Sequence, residues 1–131
     1  MKTEQQGQTL KELMSRQGAE VKEKHGGHFY FNMHMTQAIH DTSIEALELG
    51  VRAYNSLKRA GIDTIGELAE SISRGGDLKR IRNCGAKSIR EIMEHMFLFQ
   101  YNSMTPERRD AFLLETAELN KRKKAQRAMD E

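Results

Sequence analysis

Glycines at positions 50, 61, 75, 76 and 85 cut the stretch from Ile44 to Phe97 into short pieces. The apolar residues between them recur at helical spacing, so this stretch must fold as several brief helices that reverse at glycine turns. The first helix is expected from about Val51 to Ala60, with Gly61 as a left-handed stop. Thr64-Ile65-Gly66-Glu67 forms a capping box that opens a second, with Ile65, Leu68, Ala69 and Ile72 facing inward. Gly75-Gly76 ends it, and Asp77 to Ile81 makes a short third turn. The fourth begins after Gly85 and has the clearest stripe, Ile89, Ile92, Met93, Met96 and Phe97.

The flanks read differently. Residues 1–24 are polar, with one weak stripe at Leu10, Leu13, Met14 and Val21 that His25-Gly26-Gly27-His28 interrupts. The apolar run from Phe29 to Met35 fits a strand, an arm packed on the domain, or a segment that docks a partner. A lone strand has no sheet to join, which favours the arm. At the other end, Thr105-Pro106-Glu107 opens a helix through a cap, a first-position proline and a first-turn acid. Phe112, Leu113, Leu114, Ala117 and Leu119 follow, and the segment closes on Lys121-Arg122-Lys123-Lys124 and Arg127. Those cations fit either a solvated helix end helped by the dipole or added phosphate contacts.

The fold class expected is all-α, a compact bundle of four to five short helices with a helix-hairpin-helix-like element. Residues 43–100 form the domain, 1–42 a helix and arm, and 101–131 a terminal helix with a basic end. At 131 residues the chain has room for one small core. A single cysteine, Cys84, rules out an internal disulfide and suits a reducing compartment. No run approaches the ~20 apolar residues that span a bilayer. The first residues also lack the apolar segment of a secretion signal, so a cytoplasmic location is expected.

Chemistry concentrates at two turns about thirty positions apart. The first is Gly50-Val51-Arg52-Ala53-Tyr54-Asn55-Ser56-Leu57-Lys58 and the second Arg82-Asn83-Cys84-Gly85-Ala86-Lys87-Ser88. A helix start presents unpaired amides and a positive dipole end, a natural seat for phosphate. Arg52 suits a narrow minor groove, Asn55 and Ser56 sugar or phosphate oxygens, and Lys58 a phosphate. Asn83, Gly85, Lys87 and Ser88 supply a close backbone approach, a charge and a hydroxyl. The plainer alternatives are a surface pair between Arg52 and Glu48, and a simple hairpin turn at Gly85. His25, His28, His34 and His40 lack the thiolates and spacing of a zinc site, so no metal or other cofactor is expected. Nor does the sequence hold a phosphate loop or a nucleophile motif, which argues against an enzyme.

Both blocks, in order, together with Leu47-Glu48-Leu49 and Ile65-Gly66-Glu67-Leu68, closely resemble the C-terminal domain of the bacterial RNA polymerase alpha subunit. The resemblance spans roughly residues 43 to 98. It implies docking of Arg52 into A/T-rich minor groove upstream of promoters, in the nucleoid. Asn55, Ser56, Lys58, Asn83, Gly85, Lys87 and Ser88 would complete the double-stranded DNA surface. It further implies contact with RNA polymerase, transcription activators, or a sigma factor through Glu45 and Glu48. Ala86 and Cys84 depart from the basic and apolar residues more frequent there, and Ala46 replaces an acid near the sigma surface. Nothing before residue 43 looks like the alpha N-terminal domain, so a free-standing relative is expected. Two other readings remain open: a protein-interaction adapter with an idle DNA surface, and a helix-hairpin-helix protein of repair or recombination.

Overall fold

The computed structural model of the chain describes residues 12–14, 30–73 and 85–130. Its elements are α1 (Gln37–His40), a 3-10 helix (Ile44–Leu47), α2 (Val51–Arg59), α3 (Ile65–Ser73), α4 (Ala86–Asn102) and α5 (Pro106–Asp130). The fold is all-helical: the only β feature among the described residues is an isolated bridge between Ser43 and Thr64. That bridge pins the 3-10 helix to the start of α3, with Ile44 N–H on the Asp63 carbonyl and Ile65 N–H on Thr42. The third turn expected at Asp77 to Ile81, with Gly75-Gly76 before it, lies outside the described residues.

Local rules set the helix ends. α2 stops in a Schellman motif: Ile62 N–H reaches the Leu57 carbonyl, Gly61 N–H reaches Lys58, and Gly61 takes φ +78°. The capping box at α3 forms as a reciprocal pair, Glu67 N–H to Thr64 Oγ1 and Thr64 N–H to Glu67 Oε1, both at 3.1 Å. Gly66 is needed for a different reason. A Cβ there would meet the His40 ring at 2.3 Å, so α1 sits on α3 only because that side chain is missing.

The first buried cluster joins Ile44 and Leu47 to Ala53 and Leu57 of α2, Ile62, Ile65 and Leu68 around α3, and Ile89, Ile92 and Met96 of α4. Ile65, Leu68, Ile89, Ile92 and Met96 are positions that the helical spacing marked, while Ala69, Ile72 and Met93 are only partly buried against this cluster. A second cluster departs from the one-core expectation: Leu13, Met14, Phe97, Tyr101, Phe112, Leu113 and Ala117. The reason is the length of α4, which at 17 residues runs about 25 Å and overshoots the first cluster. Its last turns are covered by α5 and by the arm, and Phe31 packs on both clusters.

The arm is held by side-chain amides acting as a strand edge would. Asn120 accepts Tyr30 N–H at 2.9 Å and donates to the Tyr30 carbonyl at 2.7 Å. Gln100, buried on α4, accepts His34 N–H at 3.0 Å and donates to the His34 carbonyl at 3.4 Å. Replacing Gln100→Met keeps the volume but strips both bonds from part-buried backbone. It should cost about 1–3 kcal/mol and speed hydrogen exchange at the His34 amide. Unchanged protection there would show that the clamp does not hold the arm.

Candidate nucleic-acid interface

The first five elements differ in how their amino ends are closed. Thr36 caps α1, Ser43 the 3-10 helix and Thr64 α3, each through its hydroxyl. By contrast α2 and α4 begin at Gly50 and Gly85, which have no side chain to cap the first turn; at α2 the Gly50 N–H is taken instead by the Glu91 carboxylate of α4. The amides that follow each glycine have no side-chain acceptor among the described residues and keep the donors that a helix start offers to an anion, with the Glu91 carboxylate already set against the α2 end.

On α2, Arg52 and Asn55 are exposed on one face. The Arg52 guanidinium has no partner among the described residues, so the alternative Glu48–Arg52 pair is not formed. Arg59, also exposed, lies on the same face one turn beyond Asn55; the sequence reading did not single it out, although its spacing of seven from Arg52 was there to see. Ser56 departs from expectation. It is 1% exposed and its hydroxyl donates to the Arg52 carbonyl at 2.9 Å, so it belongs to the helix interior face. Lys58 is exposed but bonded to the Asp63 carboxylate, over the Tyr54 ring. That hydrogen bond to Asp63 raises its pKa above the usual lysine value, so the charge is kept but shared.

At the start of α4, Gly85 and Lys87 are exposed. Gly85 has φ −78° and ψ 172°, and a Cβ built there meets open space. Nothing among the described residues demands a glycine; the hairpin turn that the alternative invokes lies before Gly85, outside the described residues. Ser88 is 6% exposed, buried next to Ile89 of the first cluster, and departs from expectation as Ser56 does. Asn83 and Cys84 lie outside the described residues.

The two helix starts are tied together. Gly50 N–H donates to the Glu91 carboxylate, which stands one turn beyond Lys87 on the same face of α4. Glu91 escaped the sequence reading; its only local signal is the spacing of four from Lys87. Near the 3-10 helix, Tyr54 Oη donates to Glu45 at 3.3 Å, while the Glu48 carboxylate is exposed with no described partner. Among the described residues no group of His, Cys, Asp or Glu has metal-binding geometry. His34 packs edge-on against Phe112 and His40 against Gly66, while His25 and His28 lie outside the described residues. No described helix is long and apolar enough to cross a membrane.

The family model for the C-terminal domain of the alpha subunit of bacterial RNA polymerase matches residues 32–97. The chain is 46% identical over 56 residues to the DNA-directed RNA polymerase subunit alpha of Moorella thermoacetica, covering 43% of this chain and 17% of that one. It is 52% identical over 52 residues to the same subunit of Malacoplasma penetrans, covering 40% and 15%. For that of Rubrobacter xylanophilus the identity is 50% over 58 residues, covering 44% and 18%. The chain thus spans under a fifth of the length of these relatives. No solved structure gives a significant match.

Proposed function

The chain belongs to the family of the C-terminal domain of the bacterial RNA polymerase alpha subunit, and on that premise we propose that it docks double-stranded DNA as part of transcription. Arg52 enters A/T-rich minor groove, and the amino ends of α2 and α4 receive the flanking phosphates. Asn55, Lys87 and Gly85 line the same contact, with Lys58 at its margin beside Asp63. Ser56 and Ser88 act from beneath by shaping the two helices rather than by touching DNA. Asn83 would extend the surface on the α4 side. RNA polymerase, a sigma factor meeting Glu48 and Glu45, or an activator would be the protein partners, in the cytoplasm. The module binds and does no chemistry of its own.

One observation carries this reading: α2 and α4, which both start at a glycine without a hydroxyl cap, are the two helices that Glu91 ties together. Affinity for an A/T-rich duplex should exceed that for a G/C-rich one of equal length, and both should fall steeply with salt. Equal affinity for the two would favour a repair-type clamp, and binding to neither would favour an adapter.

Gly85→Asp separates folding from binding. Aspartate is a better helix cap than glycine and suits the positive helix end, and the space around Gly85 is open. Stability should therefore hold or rise by a few tenths of a kcal/mol. A carboxylate placed on a phosphate seat should nevertheless weaken DNA binding about tenfold or more. A thermal melt and a duplex titration together decide it; unchanged affinity would remove α4 from the interface.

A further inference from the structure

The last turns of α5 carry an unusual surface. Every residue from Lys121 to Gln126 is exposed, so the helix projects past the cluster that Phe112, Leu113 and Ala117 help bury. Between Glu118 and Asp130 the sequence has Lys121, Arg122, Lys123, Lys124 and Arg127 and no acid. Lys121 pairs with Glu118 at 3.5 Å, and Lys123 lies over the Tyr30 ring at 5.3 Å. Arg122 and Lys124 hold no partner among the described residues.

The register of the α4–α5 hairpin sets where this end goes. Phe97 stacks on Phe112 and Arg109 Nε donates to the Tyr101 carbonyl, so the two helices run antiparallel. From Phe112 to Lys123 is eleven residues, about 16 Å along the axis; from Phe97 back to Ala86 is the same. Beyond the aromatic contact, the antiparallel sense of α5 therefore directs its basic end back in the direction of the α4 start rather than away from it.

We propose that the Lys121–Lys124 end of α5 is a second DNA-backbone contact, which grips phosphates beyond those held at the α2 and α4 starts. The inference rests on the DNA-docking reading above. Charge complementarity selects the occupant. Cations on all sides of a projecting helix suit the uniform phosphate array of a duplex, which asks for charge and no fixed pattern. A protein partner would look for apolar or aromatic anchors, and from Lys121 to Gln126 only Ala125 is apolar.

The test compares the full-length protein with Arg122→Gln/Lys124→Gln, with Arg108→Gln and with Arg52→Ala, each titrated against a long A/T-rich duplex at several salt concentrations. Arg108 is exposed fourteen residues before Arg122, about 21 Å away at the opposite end of α5, and controls for net charge. The double variant should flatten the log-log salt slope by about 1.8, so that the advantage of the original protein shrinks roughly tenfold between 50 and 200 mM salt. Arg108→Gln should leave the slope unchanged. A double variant with an unaltered slope, while Arg52→Ala binds more weakly, overturns the second contact and leaves DNA docking standing. An equal drop for Arg108→Gln also overturns it, because net charge alone then suffices. Failure of the original protein to bind at low salt overturns both.

Discussion

Arg52→Ala is expected to lower affinity for an A/T-rich duplex about 10- to 100-fold, the worth of a charge-assisted hydrogen-bond set in a confined groove. It should also erase most of the preference for A/T over G/C. A narrow minor groove concentrates negative potential, and a guanidinium is the group that reads it. The fold should not notice. Arg52 is exposed and its guanidinium has no described partner, so the change in stability should stay within ~0.5 kcal/mol. Lys87→Ala provides the comparison: removing one ammonium from a phosphate should weaken binding less and flatten the salt slope by about 0.9. If both variants bind like the original protein, the exposed face of α2 is not the DNA surface.

Phe97→Ala should be the most damaging single change to the fold, at about 3–5 kcal/mol. Its side chain is fully buried, edge-on to Phe31 at 5.6 Å between ring centres, and stacked on Phe112 at 5.1 Å and Tyr101 at 6.3 Å. Truncation leaves a cavity bounded by three elements, the arm, α4 and α5, which cannot all close in at once. Small domains hold only about 5–15 kcal/mol in total, so this is a large fraction. Because Met96 beside it belongs to the first cluster, unfolding should remain one transition at a lower midpoint. Chemical denaturation measures this directly. A loss below ~1 kcal/mol would mean that the aromatic cluster is not what fastens α5 and the arm.

Features governed by local rules were legible in the sequence. The Thr64–Glu67 box, the Gly61 stop and the α4 stripe each need only neighbours within one helical turn, and each formed as expected. Ser56 shows where that reasoning runs short. It and Asn55 are both one turn from Arg52, yet at ~100° per residue Asn55 rotates about 60° away from the Ala53–Leu57 face and Ser56 about 40° toward it. Which side is buried depends on α4, and the spacing alone does not say. Lys58 meets Asp63 only because the Schellman turn folds the backbone back on itself.

Longer-range ties were out of reach. Gly50 and Glu91 are 41 residues apart, and the amides of Gln100 and Asn120 grip the arm across 66 and 90 residues. No periodicity encodes such pairs; they exist because three helices and an extended segment arrive together. The family resemblance supplied the site residues of α2 and α4. It could not show that Glu91 holds the start of α2 against α4, or that Gly85 is free of any described intramolecular reason to be glycine.

The central claim is that the amino ends of α2 and α4, which have no hydroxyl cap, receive one duplex backbone between them. Mapping backbone amide chemical shifts during titration with a short A-tract duplex tests it most directly. Gly50, Val51, Arg52, Asn55, Gly85 and Lys87 should move most and saturate at one shared concentration, while the arm from Tyr30 to Thr36 and helix α1 stay still. Movement confined to the arm and α1, with the starts of α2 and α4 silent, would contradict the account.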